Sequence, residues 1–265
     1  MLERVLSGIV LAIITISSLL IGGWYLFALC AAISMIGMFE FYRVLGLHKE
    51  IIGVIGYFAM ILLYVCLAFA RTDLVMPLLV LAMLAILVAY VVTFPKYKVE
   101  DAAFSFMGIV YVGMMLSYIY QTRMAANGIY IVWIIFICSW GSDTFAYFTG
   151  VLFGKHKMTP VLSPKKSIEG AVGGIVAAAL LGAGYGWIVS EKLTIVHEPV
   201  IVFALACAIG AFFSIFGDLA ASAIKRNRDI KDYGNLIPGH GGIMDRYDSV
   251  IVTAPVVFWL FTLLG

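Results

Sequence analysis

Apolar runs of about 18 residues or more recur from one end of this chain to the other, and no other feature limits its fold so strongly. About nine can be marked: 5–21, 24–42, 51–70, 74–94, 103–120, 129–150, 168–189, 199–224 and 243–264. In a bilayer every backbone N–H and C=O needs a partner within the protein, which only helices and closed barrels supply. These runs are continuous rather than alternating, and that selects helices. The sequence predicts an all-α polytopic membrane protein. Its charge content agrees: 12% of the residues are charged, about half the ~25% of a soluble domain.

The polar residues are unevenly spread. We read residues 1–265 as a single transmembrane domain with two parts. Residues 1–125 are helices suited to packing, lipid access or a dimer contact; residues 126–265 are the catalytic part, with polar links at 154–167 and 225–242. Glu3 and Arg4 precede the first apolar run, which reads as a retained span rather than a cleaved leader. The cysteines (Cys30, Cys66, Cys138, Cys207) stand singly in apolar runs, as small buried hydrophobes do.

Lysine and arginine predict the orientation. With the N-terminus inside and strict alternation, the inner side receives Arg4, Arg43, Lys49, Lys96, Lys98, Lys155, Lys157, Lys165, Lys166, Lys225, Arg226, Arg228, Lys231 and Arg246. The outer side receives only Arg71, Arg123 and Lys192. Both long polar links then face the cytoplasm, and the C-terminus lies outside.

Charges inside spans are costly in lipid and mark pairs, ions or water-filled cavities. Glu40 stands three residues before Arg43, where a local ion pair is expected. Asp143 and Asp218 have no such neighbour. Residues 199–226 are also long for a span, at about 42 Å against a hydrocarbon core of ~30 Å. Either the last turns leave the membrane or the helix breaks near Gly217. On a continuous helix Asp218, Ser222, Lys225 and Arg226 share one face.

The segment 222–249 combines Lys225, Arg226, Arg228, Lys231 and Arg246 with Pro-Gly-His-Gly-Gly at 238–242. Glycine-rich backbone can present successive N–H groups to an anion, and a helix start adds to that attraction. An ordinary tight turn would leave the surrounding cations unexplained. In Asp-Arg-Tyr-Asp, Asp245 and Asp248 are three apart and share a helix face. With Asp218 they suggest hard oxygen ligands for Mg²⁺ shared with phosphates. Asp143 and the Ser-Pro-Lys-Lys-Ser stretch at 163–167 form a further polar group, with Ser167 placed to cap a helix. The P-loop pattern is absent. Read this far, a transporter with an ion site at Asp218 and a nucleotidyl- or phosphotransferase acting on polyprenyl phosphate both remain open.

Residues 222–248 carry S-x-x-K-R…K-D…P-G-H-G-G-x-x-D-R-x-D, and residues 143–170 carry D-x-x-A-Y-x-x-G-x-x-x-G-K…S-P-K-K-S-x-E-G. Together these resemble the signature of the phosphatidate cytidylyltransferases, or CDP-diacylglycerol synthases, across roughly the second half of the chain. Tyr247 departs from the pattern, which more often has an aliphatic residue there. The resemblance implies an integral cell-membrane enzyme joining CTP to phosphatidate, with release of pyrophosphate, a need for Mg²⁺ and room for a second cation. It leaves a homodimer open and implies no nucleic-acid partner. On this reading Asp218 and Asp245 hold Mg²⁺, and Asp248 serves a second cation. Ser222, Lys225, Arg226, Lys231, His240, Gly241, Gly242 and Arg246 bind the triphosphate. Asp143, Lys165, Lys166 and Ser167 complete the cavity on the lipid-phosphate side.

Overall fold

In the computed structural model, which describes residues 2–194, 196–239 and 241–264, the apolar runs become helices. They are α1 (Leu2–Ile21), α2 (Gly23–Leu45), α3 (Ile51–Ala68), α4 (Thr72–Val92), α5 (Val99–Met124), α6 (Gly128–Phe153), α7 (Ile168–Val189), α8 (Pro199–Asn227) and α9 (Met244–Leu264). Among the described residues, eight helices, α2 to α9, are long and apolar enough to cross a membrane; α1 adds a shorter apolar stretch, Leu6–Ile21. The expected all-α membrane fold is therefore present.

The helix ends follow from local chemistry. Gly46 ends α2 in the left-handed region, at φ +77°, which glycine enters without a β-carbon clash. Pro199 opens α8 in its first turn, where its missing N–H costs no internal bond. Ser167 caps α7, its Oγ accepting from Gly170 N at 3.1 Å. α8 runs without a break through Gly217 for 29 residues, so of the two alternatives raised by its length, the continuous helix holds.

Three features were not anticipated. α5 and α6 each contain a π-helical turn, at Gly108–Met114 and Ile137–Gly141. The 154–167 link folds into a hairpin, β1 (Lys157–Thr159) and β2 (Ser163–Ser167), paired antiparallel with Lys157 opposite Ser167 and Thr159 opposite Ser163.

By packing, the chain divides into two units, each drawn from three stretches of sequence. The first comprises Met1–Ser18, Gly23–Ser117 and Asp232–Arg246; the second comprises Leu19–Gly22, Tyr118–Lys231 and Tyr247–Gly265. In the first, Tyr42 is fully buried and donates to Ser105 O, while Ser105 Oγ donates to Ile52 O at 2.6 Å. The Tyr42 ring occupies space that β-carbons at Gly56 and Gly108 would take. Such closed polar contacts fix helix register in an otherwise apolar packing.

The second unit packs on small residues. β-carbons at Gly182 and Gly186 would stand 2.5 Å from Phe203 O and 2.6 Å from Pro199 O on α8. At Gly170 and Gly174 they would stand 2.7 Å from Ala146 O and 2.8 Å from Ser142 O on α6. The small residues of α7 thus serve close packing on both neighbours, since a backbone approach of this kind excludes larger side chains.

Candidate active site

The second unit gathers carboxylates from three helices. At Gly217 a β-carbon would lie 2.9 Å from Asp248 O, so α8 and α9 approach closely beside Asp218 and Asp248. Asp143 lies on α6 just beyond the π-helical turn Ile137–Gly141, a local register shift of a kind often found at functional sites. Asp143, Asp218 and Asp248 are electrostatic neighbours of one another.

Two lysines and two serines complete the cluster. Lys166, from β2, forms an ion pair with Asp218 Oδ2. Lys225, two turns along α8, faces Asp248 electrostatically. Ser222 Oγ reaches Asp218 Oδ1 at 3.5 Å, as the shared helix face predicts. Ser249 links two of the acids: its N donates to Asp248 Oδ1 at 2.8 Å and its Oγ to Asp143 Oδ2 at 3.4 Å. Ser249 was missed in the sequence, where a lone serine after Asp248 carries no signal.

A cavity of about 470 Å³ opens onto this cluster. Asp143, Asp218, Lys165 and Lys166 supply its charge, while Tyr147, Val151 and Ile215 supply apolar wall. Ser167 also lines it, with its oxygen engaged in the α7 cap. Lys157 is a further cation there that the sequence reading did not single out.

Other expected residues have different surroundings. Arg226 is exposed, and its guanidinium donates to Ile230 O at 3.2 Å, closing the end of α8. Lys231 is exposed. His240 lies outside the described residues. Ile237 N donates to Gly241 O at 2.9 Å, and Gly239 and Gly241 are at positive φ. Arg246 is half-buried, and its Nε has no hydrogen-bond partner.

Asp245, read from the sequence as sharing a cation with Asp218, has main-chain donors around it. Asp245 is buried, and its Oδ2 accepts from Tyr233 N at 2.8 Å and Gly242 N at 3.0 Å. The Gly242 N–H, read from the sequence as a phosphate donor, is thereby occupied by a carboxylate of its own chain.

The Glu40–Arg43 ion pair is also replaced. Glu40 Oε1 accepts from Ile243 N at 3.1 Å and Oε2 from Met244 N at 2.9 Å. Arg43 instead donates to Tyr233 O at 2.7 Å. Pairing across 190 residues or more cannot be read from local spacing.

Among the described residues, no group of three or more His, Cys, Asp or Glu side chains forms a metal centre by itself. Mg²⁺, however, is usually held by one or two carboxylates and completes its shell with water and substrate phosphates. Asp218 and Asp248 supply oxygen donors of that kind, and the Lys166 ammonium already stands against Asp218 as a cation. The donor set suits Mg²⁺.

A family model described as the cytidylyltransferase family matches residues 2–264. A phosphatidate cytidylyltransferase of Bacillus subtilis (strain 168) is 30% identical over 271 residues, covering 99% of this chain and 98% of the relative. One from Staphylococcus haemolyticus is 34% identical over 260 residues, covering 96% of both. One from Staphylococcus epidermidis is 37% identical over 178 residues, 67% of this chain and 66% of the relative.

Proposed function

The chain belongs to the cytidylyltransferase family, and on that premise we propose that it transfers the cytidylyl group of CTP to phosphatidate in the cell membrane. The products are CDP-diacylglycerol and pyrophosphate. The observation that carries the reading is the cluster of Asp143, Asp218 and Asp248 with Lys166 and Lys225, open to a cavity that is part charged and part apolar. Such a cavity accommodates a molecule with a phosphate head and acyl chains.

The reaction asks little of a general base. A phosphate monoester is already largely dianionic at pH 7. One of its oxygens forms a bond to the α-phosphorus of CTP while the bond to the β-phosphate bridging oxygen breaks, and pyrophosphate leaves with that electron pair. Two polyanions must be brought together, so positioning and charge neutralisation dominate. Lys165 and Lys166 receive the lipid phosphate at the cavity. Lys225 and Arg246 receive triphosphate oxygens; the unpartnered buried Nε of Arg246 is a donor suited to that task. Ser249 fixes Asp143 and Asp248. Asp218 and Asp248 would hold Mg²⁺, which when bound supplies positive charge to the phosphates in transfer.

We further propose that the cluster faces the cytoplasm, as the lysine and arginine bias predicts. Reporter fusions after Lys98 and after Lys192 should fall on opposite sides of the membrane. The activity itself is tested with purified protein, labelled CTP, Mg²⁺ and either phosphatidate or polyprenyl phosphate, with pyrophosphate measured. Release with phosphatidate alone supports the assignment; release only with polyprenyl phosphate, or none, refutes it.

A further inference from the structure

Glu40 is 3% exposed, on a membrane-spanning helix, and the cytidylyl-transfer chemistry above makes no use of it. Both carboxylate oxygens are taken by main chain: Ile243 N on Oε1 and Met244 N on Oε2. These amides stand at the start of α9, where a helix has no internal acceptors and where a negative charge is favoured. A nearby Ser or Asp would ordinarily do this work. Here the acceptor comes from a residue 203 positions earlier, which ties the first turn of α9 to α2.

The surrounding loop is built around that tie. β-carbons at Gly234 and Gly242 would overlap the Glu40 carboxylate. A β-carbon at Gly241 would stand 2.8 Å from Asp245 Oδ2. One helical turn along from Glu40, Arg43 holds Tyr233 O, and Asp245 holds Tyr233 N and Gly242 N. Ser7 Oγ adds a bond to Pro238 O at 3.1 Å. Arg246 follows at once, its backbone N donating to Ile243 O at 3.0 Å. The residue whose amide Glu40 holds therefore also fixes the backbone of Arg246.

We propose that Glu40 is a positioning residue for cytidylyl transfer: by holding the first amides of α9 it sets Arg246 in place for the triphosphate. The proposal rests on the reading that the chain uses CTP and that Arg246 binds its phosphates. A glutamine at position 40 keeps the volume but presents an amide –NH₂ to one of two N–H donors, so one bond is lost.

The test combines kinetics with hydrogen exchange on the purified full chain. Glu40→Gln should raise KM for CTP about tenfold with kcat within about threefold of wild type. KM for phosphatidate should not move, and amides of 232–246 should exchange faster. Glu40→Asp, which keeps the charge, should recover part of the KM. Because Glu40 acts through Arg246, adding Glu40→Gln to Arg246→Gln should not raise the CTP KM further. A CTP KM within about twofold of wild type, unchanged exchange at 232–246, or full additivity of the pair overturns the proposal. Should Glu40→Gln fail to reach the membrane, Glu40→Asp is read by the same criteria. A wild-type protein that does not turn over CTP refutes the functional reading instead, and the exchange data then decide the tie alone.

Discussion

Asp245 and Asp248 stand three residues apart on α9, yet one faces backbone and the other faces charge. Asp245, with Glu40, accepts main-chain N–H groups from the 232–244 segment. Asp248, with Asp143 and Asp218, faces other carboxylates and the cations Lys166 and Lys225. A carboxylate that accepts two amides is satisfied by its own chain. Carboxylates facing each other need added positive charge. On the proposed reading, the same side chain serves architecture in the first setting and chemistry in the second.

The largest effect that could break this division is expected at Asp218 and Asp248. Asp218→Asn or Asp248→Asn should each lower kcat roughly a thousandfold, the scale seen when transition-state charge stabilisation is removed. Chelation of Mg²⁺ should abolish wild-type activity, with recovery when it is restored. Exchange in 232–246 should stay as in wild type in both variants. Activity at half of wild type in either would remove that residue from the cation site.

Lys166→Gln should lower kcat/KM for phosphatidate about a hundredfold, because a charge-assisted contact inside a poorly solvated cavity is lost. The KM for CTP should change less, and steady-state kinetics in mixed micelles reads both. An effect confined to CTP would move Lys166 to the nucleotide side.

Asp245→Asn should act on the loop rather than on the cation. We expect faster exchange at 232–244 and a loss of about 1–2 kcal/mol in stability, with the Mg²⁺ dependence of activity unchanged. Complete loss of activity with normal loop exchange would place Asp245 with Asp218 after all, and the contrast with Asp248 would fail. Ser249→Ala should be mildest, about threefold in kcat, since its Oγ contact with Asp143 is long at 3.4 Å.

The lipid-spanning fold was legible because unbroken apolar runs leave the backbone only one economical solution. The Ser167 cap and the face shared by Asp218 and Ser222 followed from helical spacing alone. The π-helical turn before Asp143 was not legible, since an extra residue per turn leaves no trace in an all-apolar stretch. The glycines at 234 and 242 were harder still. Read locally they free a turn, whereas in the folded chain they make room for Glu40. Asp245 and Asp248 differ in their partners, main-chain N–H groups of Tyr233 and Gly242 for one and the charges of Asp143, Asp218 and Lys225 for the other, and a three-residue spacing describes only their common face.

The length of α8 has a consequence for how the reactants meet. At 29 residues the helix is about 43 Å long, some 13 Å more than the oily interior it crosses. It carries Asp218 to within three turns of its polar end. On the proposed reading, a nucleoside triphosphate dissolved in water and a lipid held by its tails are joined at the boundary between their two media, and neither has to leave its own.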